Sequence, residues 1–293
     1  MTINADVGED SMDKSAVQSA LTGAGLAKLV PDIDKLLRLS IRLYATPVSQ
    51  PQQEVGVSRL GGVPDLPSEI AWPQWKNVPQ SFIAQIRLDD VHQYDLNGLL
   101  PAQGMLWFFY DAQQETFGEE PADRGGWQVF FAPSAARLQR ATVPTSLPQA
   151  SQFQACSLRF ASELTLALQP QLEIANLKWS DSEQEQYDNM LSTLIEQNER
   201  AAVHHRLLGY PETLQDDMRQ QCQLVSHGVT DEDDPRVATL AKTAMDWQLL
   251  LQIDSDEQAG MKWGNTGMLY YWITQADLQQ RQFGNTWLIL QSE

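Results

Sequence analysis

The sequence predicts an α+β protein made of two related antiparallel β-rich units that pack as one body, with several peripheral helices. The first observation is a pattern that occurs twice: an apolar run with Gln-Ile, a Gly-Met-Leu run that continues into aromatics, and a run around one Trp. The second is that strand-like runs are clustered instead of alternating with helices. The two copies of the pattern lie at residues 81–87, 104–109 and 126–130, and at residues 248–254, 267–272 and 286–290.

The N-terminal region divides into two parts. Residues 1–10 are polar and acidic without periodicity, which predicts disorder. Residues 11–40 have helical spacing, and Pro31 is placed at a helix start. We expect residues 11–291 to form a single domain that begins with this helical segment.

The remaining elements follow in order. The first repeat, at about 55–132, begins with an irregular segment in which Gly61-Gly62 and three prolines exclude helix. Residues 133–152 form a proline-containing connector without a long flexible tract, which favours a shared core. The second repeat, at about 153–291, opens with strands predicted at 153–160 and 163–169.

Three helices are predicted inside the second repeat. Ser180 and Glu183 form a capping box before an apolar stripe, and the opposite face of that helix is acidic. A second helix is expected at 212–222. A third is expected to begin at Asp234-Pro235, an N-cap followed by proline.

Composition limits the classes of partner. The 293 residues carry a net charge of −18, which disfavours nucleic acid and anionic membranes. No apolar run is long enough for a bilayer, and the N-terminus resembles no secretory signal, so the expected location is the cytoplasm. Cys156 and Cys222 are expected to be reduced, buried thiols.

Six motifs occur in a fixed order along the chain. They are Ser58-Arg59-Leu60-Gly61-Gly62-x-Pro64-x-Leu66-Pro67, Trp72-Pro73, Phe82-x-Ala84-Gln85-Ile86, Leu207-Leu208-Gly209-Tyr210-Pro211 with Gln215, Leu249-Leu250-x-Gln252-x-Asp254-Ser255-Asp256 and Trp263-Gly264-x-x-Gly267-x-Leu269-Tyr270. Together they resemble the YwqG-like family of uncharacterised bacterial domains. The resemblance covers roughly residues 41–291, and it implies an α+β fold over a duplicated β-rich unit with no established activity. Family members often have Asp where this chain has Asn265.

No familiar catalytic motif occurs, which removes the enzyme classes that single motifs reveal but leaves other enzymes open, with catalytic residues unknown. His204 and His205 are adjacent and therefore poor joint ligands for one metal; we expect one to bond backbone near a helix end and the other to be exposed. Tyr210, in the motif that follows them, is a further ligand-binding candidate. The only cofactor hypothesis is a divalent cation held by Asp254, Asp256 and Asn265, against which stands the preference of such residues for turns.

Gln85 and Gln252 occupy equivalent positions in the two repeats. A glutamine within an apolar strand must be hydrogen-bonded when buried, so each is expected to tie a loop to the sheet. The alternative is that both amides face one ligand groove between the repeats.

Two hypotheses for function remain open. The first is a cytoplasmic interaction protein that engages a protein partner through an acidic and aromatic-rich surface. One version of it is an immunity-type neutraliser of a basic partner. The second is an enzyme, small-ligand or cation-binding protein that uses the cleft between the repeats. The aromatic residues considered for the surface are Trp107, Phe108, Phe109, Trp127, Tyr270, Tyr271, Trp272 and Trp287.

Overall fold

A computed structural model of the protein describes residues 13–49, 53–174, 177–199 and 203–292, so the segment expected to be disordered, residues 1–10, lies outside the described residues. The model has mixed helix and strand, as expected. Its strands are β1 (Arg38–Pro47), β2 (Arg59–Leu60), β3 (Asp65–Leu66), β4 (Gln74–Trp75), β5 (Val78–Pro79), β6 (Ser81–Arg87), β7 (Met105–Tyr110), β8 (Trp127–Ala132), β9 (Gln139–Arg140), β10 (Cys156–Thr165), β11 (His205–Leu208), β12 (Trp247–Asp254), β13 (Gly267–Thr274) and β14 (Trp287–Ser292).

Its α-helices are mostly short and lie between the strands. They are α1 (Lys14–Gly23), α2 (Val30–Leu36), α3 (Leu88–Val91), α4 (Pro170–Glu173), α5 (Asp181–Glu199), α6 (Arg219–Ser226), α7 (Val237–Leu240) and α8 (Gln275–Gln279). No described helix combines the length and apolarity that a membrane crossing requires.

Ten strands form one antiparallel sheet in the order β14-β13-β12-β11-β1-β10-β2-β6-β7-β8. The long strands β1 and β10 pair at its centre, from Arg38 opposite Thr165 to Pro47 opposite Cys156. On one side β10 pairs with β2, and on the other β1 pairs with β11. Four strands therefore extend from each side of the central pair.

The sheet curls until it is nearly closed into a barrel. Tyr271 on β13 and Phe108 on β7 lie near opposite edges of the sheet, yet their rings are 5.2 Å apart and the Tyr271 hydroxyl donates to the Phe109 carbonyl at 3.1 Å. At the edges, Leu290 N–H donates to the Phe117 carbonyl at 3.0 Å. The rings of Trp127 and Trp287 meet there at 4.9 Å. The interior is thus filled with side chains from both halves, and the cleft expected between the repeats is packed.

All eight aromatic residues considered for an exposed surface are buried, so the expectation of an aromatic patch is wrong. The reason is that the sheet is covered on both faces. Curling buries the inner face, while on the outer face Trp107 and Phe109 pack beneath Leu66 and Trp72 of the irregular segment. Alternation along a strand leaves an outward residue exposed only when nothing covers that face.

The helix predictions are confirmed in part. The capping box begins α5: Ser180 N–H donates to the Glu183 carboxylate at 2.8 Å, and Glu183 N–H donates to the Ser180 hydroxyl at 3.3 Å. The helical segment 11–40 contains α1 and α2 but already becomes strand β1 at Arg38. A short helix, α7, follows Asp234 as expected.

Two element predictions are wrong. The helix expected at 212–222 begins only at Arg219, because the residues before it run along the sheet and Leu214 N–H donates to the Gln291 side chain at 3.1 Å. The strands expected at 153–160 and 163–169 are one continuous strand, β10, because its central partner β1 pairs with it over its whole length. Cys156 and Cys222 are buried free thiols, as expected.

Candidate functional site

Gln85 and Gln252 hold loops against the sheet. Oε1 of the Gln85 side chain accepts from the backbone N–H of Asp65 at 2.7 Å, and its Nε2 donates to the backbone carbonyl of Val57 at 2.7 Å. Oε1 of the Gln252 side chain accepts from the backbone N–H of Glu212 at 2.9 Å, and its Nε2 donates to the backbone carbonyl of His204 at 2.8 Å. Both side chains are fully buried, and each serves a loop of its own half.

Each glutamine pairs with an arginine on the neighbouring strand, and neither arginine is among the binding-site candidates predicted from the sequence. Arg59 pairs with Gln85 across β2 and β6, and Arg206 pairs with Gln252 across β11 and β12. In both places the sequence reads Arg-Leu-x-Gly-x-Pro-acid, from Arg59 to Asp65 and from Arg206 to Glu212. This shared sequence was the available signal.

The acidic residue that ends each motif accepts a hydrogen bond from the strand that comes after the glutamine strand, β7 in the first half and β13 in the second. Trp107 Nε1 donates to the backbone carbonyl of Asp65 at 2.8 Å, and the Tyr270 hydroxyl donates to the backbone carbonyl of Glu212 at 2.6 Å. The Asp65 carboxylate, fully buried, forms ion pairs with Arg59 and, at 2.8 Å, with Arg140. Burial lowers the pKa of Arg59 to about 10 against the opposing effect of Asp65, and the guanidinium remains charged at neutral pH.

The two histidines are both buried beside carboxylates, so the expectation that one of them is exposed is wrong. They lie on and just before β11, where adjacent side chains point to opposite faces. His204 Nδ1 pairs with the Glu212 carboxylate. His205 Nδ1 accepts from Asp254 N–H at 3.1 Å, which places the proton on Nε2, 3.3 Å from the Asp256 carboxylate.

The residues considered for a cation are engaged elsewhere. The Asp254 carboxylate accepts from His204 N–H at 2.9 Å, and the Asp256 carboxylate accepts from Gln258 N–H at 2.8 Å. Burial of Asp256 acts to raise its pKa, but the hydrogen bond from His205 and those from the backbone N–H groups of Gln258 and Ala259 outweigh it, and the pKa lies below its ordinary value. Asn265 is exposed in a turn. Across the described ranges, no three His, Cys, Asp or Glu residues form a group suited to a metal ion.

Tyr210 is placed by a sharp bend at the end of β11. Leu208 and Gly209 both adopt positive φ, at 61° and 73°. A Cβ on Gly209 would collide with Thr165 and Ser40, so the close approach requires glycine. Tyr210 N–H then donates to the Thr165 hydroxyl at 2.9 Å, and the Arg38 guanidinium lies 4.3 Å from the centre of the Tyr210 ring.

A cavity of about 30 Å³ lies beside Tyr210. Tyr210 and Trp272 line it, and both are at least nine-tenths buried. Among the described residues, neither the Tyr210 hydroxyl nor Trp272 Nε1 has a hydrogen-bond partner of acceptable geometry. The other residues of the wall are Arg38, Ala167, Leu168, Gln169, Gly209, Pro211, Thr213, Asp217, Arg219 and Leu249.

The charges around this cavity balance. Arg38 pairs with the Glu173 carboxylate at 3.0 Å, and Arg219 pairs with both Glu173 and Asp217, the latter at 2.7 Å. Burial raises the pKa of Tyr210 to about 12 against the opposing charge of Arg38, so the hydroxyl is protonated at neutral pH. The cavity therefore presents neutral hydrogen-bond donors within a compensated set of charges.

Tyr210 also forms the wall between this cavity and a neighbour of about 40 Å³. The neighbour is lined by Arg206, Glu212 and Glu163, which connect it to the buried ion pairs behind β11. Of the sequence candidates, Tyr210 lines both cavities, and His204 and Gln252 each contact Glu212. The structure does not bring Gln85 to this place, because four strands separate β6 from β12.

The comparisons with known proteins identify a family without an assigned activity. No curated protein matches the chain. The model of a family described as a domain of unknown function (DUF1963) matches residues 58–292, which include both Arg-Leu-x-Gly-x-Pro-acid motifs and the residues of the Tyr210 cavity except Arg38. The chain therefore belongs to this family of domains of unknown function.

Proposed function

We propose that the protein binds a small molecule at the Tyr210–Trp272 cavity, and that the ligand presents an oxygen acceptor to these two side chains. The observation that carries the proposal is the presence of two buried hydrogen-bond donors in the wall of one cavity: among the described residues Trp272 Nε1 has no partner, and the Tyr210 hydroxyl has the Glu173 carboxylate nearby but no hydrogen bond of good geometry. A buried polar group left unpaired costs about 1–3 kcal/mol, and buried polar groups are nearly always satisfied.

The size and chemistry of the cavity limit the ligand. A volume of about 30 Å³ accommodates a group about the size of one or two water molecules, so a carbonyl or carboxylate group enters while the rest of the molecule lies at the mouth. The indole N–H of Trp272 can only donate, and the Tyr210 hydroxyl can donate, so an acceptor oxygen satisfies both. Arg38, a third of whose side chain is exposed, lies at the rim.

A thermal-shift panel tests the proposal. Small carboxylic acids form one arm and their primary amides the other, which separates an anionic from a neutral acceptor. We expect at least one compound to raise the melting temperature of the wild type in proportion to its concentration. The affinity of this compound for Tyr210→Phe is expected to be at least tenfold lower than for the wild type. Tyr44→Phe, which changes an exposed tyrosine, is the control and is expected to bind the compound with wild-type affinity.

Two outcomes oppose small-molecule binding. If neither arm stabilises the wild type, the protein does not bind this class of ligand. If Tyr210→Phe binds as well as the wild type, the ligand lies elsewhere.

We infer a duplicated architecture from the two Arg-Leu-x-Gly-x-Pro-acid motifs and the equivalent bonds of Gln85 and Gln252. Each copy would then contain five strands, β1-β2-β6-β7-β8 and β10-β11-β12-β13-β14, with the first strand of each paired to the other copy. The first copy would then begin with β1 (Arg38–Pro47), earlier than the first repeat predicted from the sequence, which begins at about residue 55. The YwqG-like assignment suggested by the sequence motifs stays a prediction at this level.

A protein partner in the cytoplasm is the second candidate function. Asp181, Glu185 and Asp188 are exposed on α5, and the whole chain carries −18. Such a surface attracts a basic protein and favours fast association at low salt. Purification of a stoichiometric basic partner that is lost when these three residues are changed to Lys would support it, and an undiminished complex would contradict it.

A further inference from the structure

A second and larger cavity lies in the N-terminal half, and it shares no lining residue with the Tyr210 cavity. This groove, of about 400 Å³, lies between the end of β1, the loop at Gly62-Val63 and the segment that leads into β10. Its volume falls within the range of small-molecule sites. Gly62-Val63 occupies the position in the first motif that Gly209-Tyr210 occupies in the second.

Among the described residues that line the groove, none has an ionisable side chain. The lining combines apolar residues, among them Trp72, Phe82 and Leu147, with polar residues, among them Gln152 and Gln154. A charged ligand would lose its hydration here without gaining an opposite charge. The lining therefore favours an uncharged molecule that has both an apolar and a polar face.

The glutamines of the lining further define the ligand. The Gln152 amide donates to the Leu147 carbonyl at 3.1 Å, and the Gln154 amide donates to the Val48 and Ala155 carbonyls at 2.9 Å and 3.1 Å. Gln154 thus uses both of its side-chain N–H groups within the protein and offers its Oε1 atom, whereas Gln152 keeps one N–H group as well as its Oε1 atom. A ligand that bonds to both side chains must therefore supply at least one hydrogen-bond donor.

We propose that this groove binds a neutral saccharide. Sugar hydroxyls donate to amide oxygens, and the C–H face of a sugar ring packs against an aromatic ring such as that of Trp72, which is half-buried in the wall.

Ligand-observed NMR with the full-length protein tests this assignment. The probes are neutral mono- and disaccharides, and capped dipeptides serve as alternative uncharged donors. We expect saturation transfer to at least one saccharide. Ser49→Trp, which places an indole at the exposed mouth of the groove, is expected to weaken that binding at least tenfold.

The control is Ser182→Trp, the same change at an exposed position of α5, which is expected to bind as the wild type does. Circular dichroism establishes that both variants are folded. Absence of binding to every saccharide, binding of the dipeptides alone, or undiminished binding by Ser49→Trp would each overturn the assignment. Because the two sites share no residue, Tyr210→Phe is expected to leave saccharide binding unchanged.

Discussion

Tyr210 and Trp272 each bury a hydrogen-bond donor in the wall of the same cavity, and among the described residues neither donor makes a hydrogen bond of good geometry, although the Glu173 carboxylate lies beside the Tyr210 hydroxyl. The two residues are distant in sequence: Tyr210 lies in the bend after β11, and Trp272 lies on β13. Their convergence depends on the register of β11, β12 and β13, which the buried amide of Gln252 helps to hold.

The Tyr210 hydroxyl is expected to contribute nothing to folding stability. We predict that Tyr210→Phe changes the free energy of unfolding by less than about 0.5 kcal/mol or increases it, because the buried hydroxyl that is removed makes no hydrogen bond of good geometry to a described residue. Urea denaturation measures this. Tyr187→Phe is the matched comparison, since the Tyr187 hydroxyl is equally buried but donates to the Ala167 carbonyl at 2.7 Å.

Tyr187→Phe is expected to lower the free energy of unfolding by about 1–2 kcal/mol, because the Ala167 carbonyl loses its partner. Equal losses in the two tyrosine variants would show that the Tyr210 hydroxyl is satisfied within the protein.

The two buried glutamines are expected to be equally important for stability. Gln85→Leu and Gln252→Leu each leave two buried backbone groups unpaired, so we predict a loss of about 2–6 kcal/mol in the free energy of unfolding for either. Gln103→Leu, at an exposed position, is expected to change it by less than about 0.5 kcal/mol. A large loss in only one of the two buried variants would contradict the equivalence of the two halves.

Closure of the sheet is expected to depend on Gly118. Its carbonyl accepts from Trp287 Nε1 at 2.9 Å, its φ is +80°, and a Cβ there would collide with the Leu288 carbonyl. Gly98 also has positive φ, at +62°, but a Cβ would meet nothing within 4 Å. Gly98→Ala therefore measures backbone strain alone, at about 1–2 kcal/mol.

We predict that Gly118→Ala costs about 1–3 kcal/mol more than Gly98→Ala in thermal or urea unfolding, because it adds the collision to the strain. Equal costs would mean that the edge of β14 does not depend on this close contact.

Asp256 is expected to make stability depend on pH in the acid range. Burial acts to raise its pKa, but His205 and two backbone N–H groups lower it overall below the ordinary value of 3.8. In the folded state the group thus holds its proton less tightly than in the unfolded state. Its contribution is complete well above pH 3.8 and is lost as the pH falls from there through the lowered pKa.

Urea denaturation between pH 2.5 and pH 6 measures this dependence. Asp256→Asn is expected to be less stable than the wild type at pH 6 and to show a shallower decrease in acid. Asp233→Asn, at an exposed loop position, is the control and is expected to follow the wild-type curve. An unchanged acid slope in Asp256→Asn would contradict the role assigned to the His205–Asp256 pair.

The mixed helix-and-strand fold and the hydrogen bonds by which Gln85 and Gln252 anchor loops could be predicted from the sequence, whereas the Tyr210–Trp272 cavity could not. Alternating and capping patterns act over a few residues, so the α5 capping box and the strands that contain Gln85 and Gln252 could be identified. The outward aromatics, by contrast, are covered by segments distant in sequence, as Trp72 covers Phe109. Periodicity contains no information about such long-range covering.

The histidines and the cavity show the same limit. His204 and His205 were expected near a helix end because the pairing of β11 with β1 joins residues far apart in sequence, and the residues around the histidines do not indicate it. Tyr210 was a candidate through its motif, but Trp272 was considered only as part of an aromatic surface. Its role requires the sheet register that brings it to the Tyr210 cavity.

The indole N–H signal of Trp272 offers the most direct test of ligand binding at this cavity. In a ¹H–¹⁵N spectrum, assigned by Trp272→Phe, we predict that a stabilising carboxylate or amide moves this signal downfield as the indole donates to the added oxygen. The signals of Trp107 and Trp287, whose Nε1 atoms already donate to carbonyls, are predicted to stay in place. A titration in which the Trp272 signal does not move, or in which those two move instead, would contradict binding at the Tyr210–Trp272 cavity.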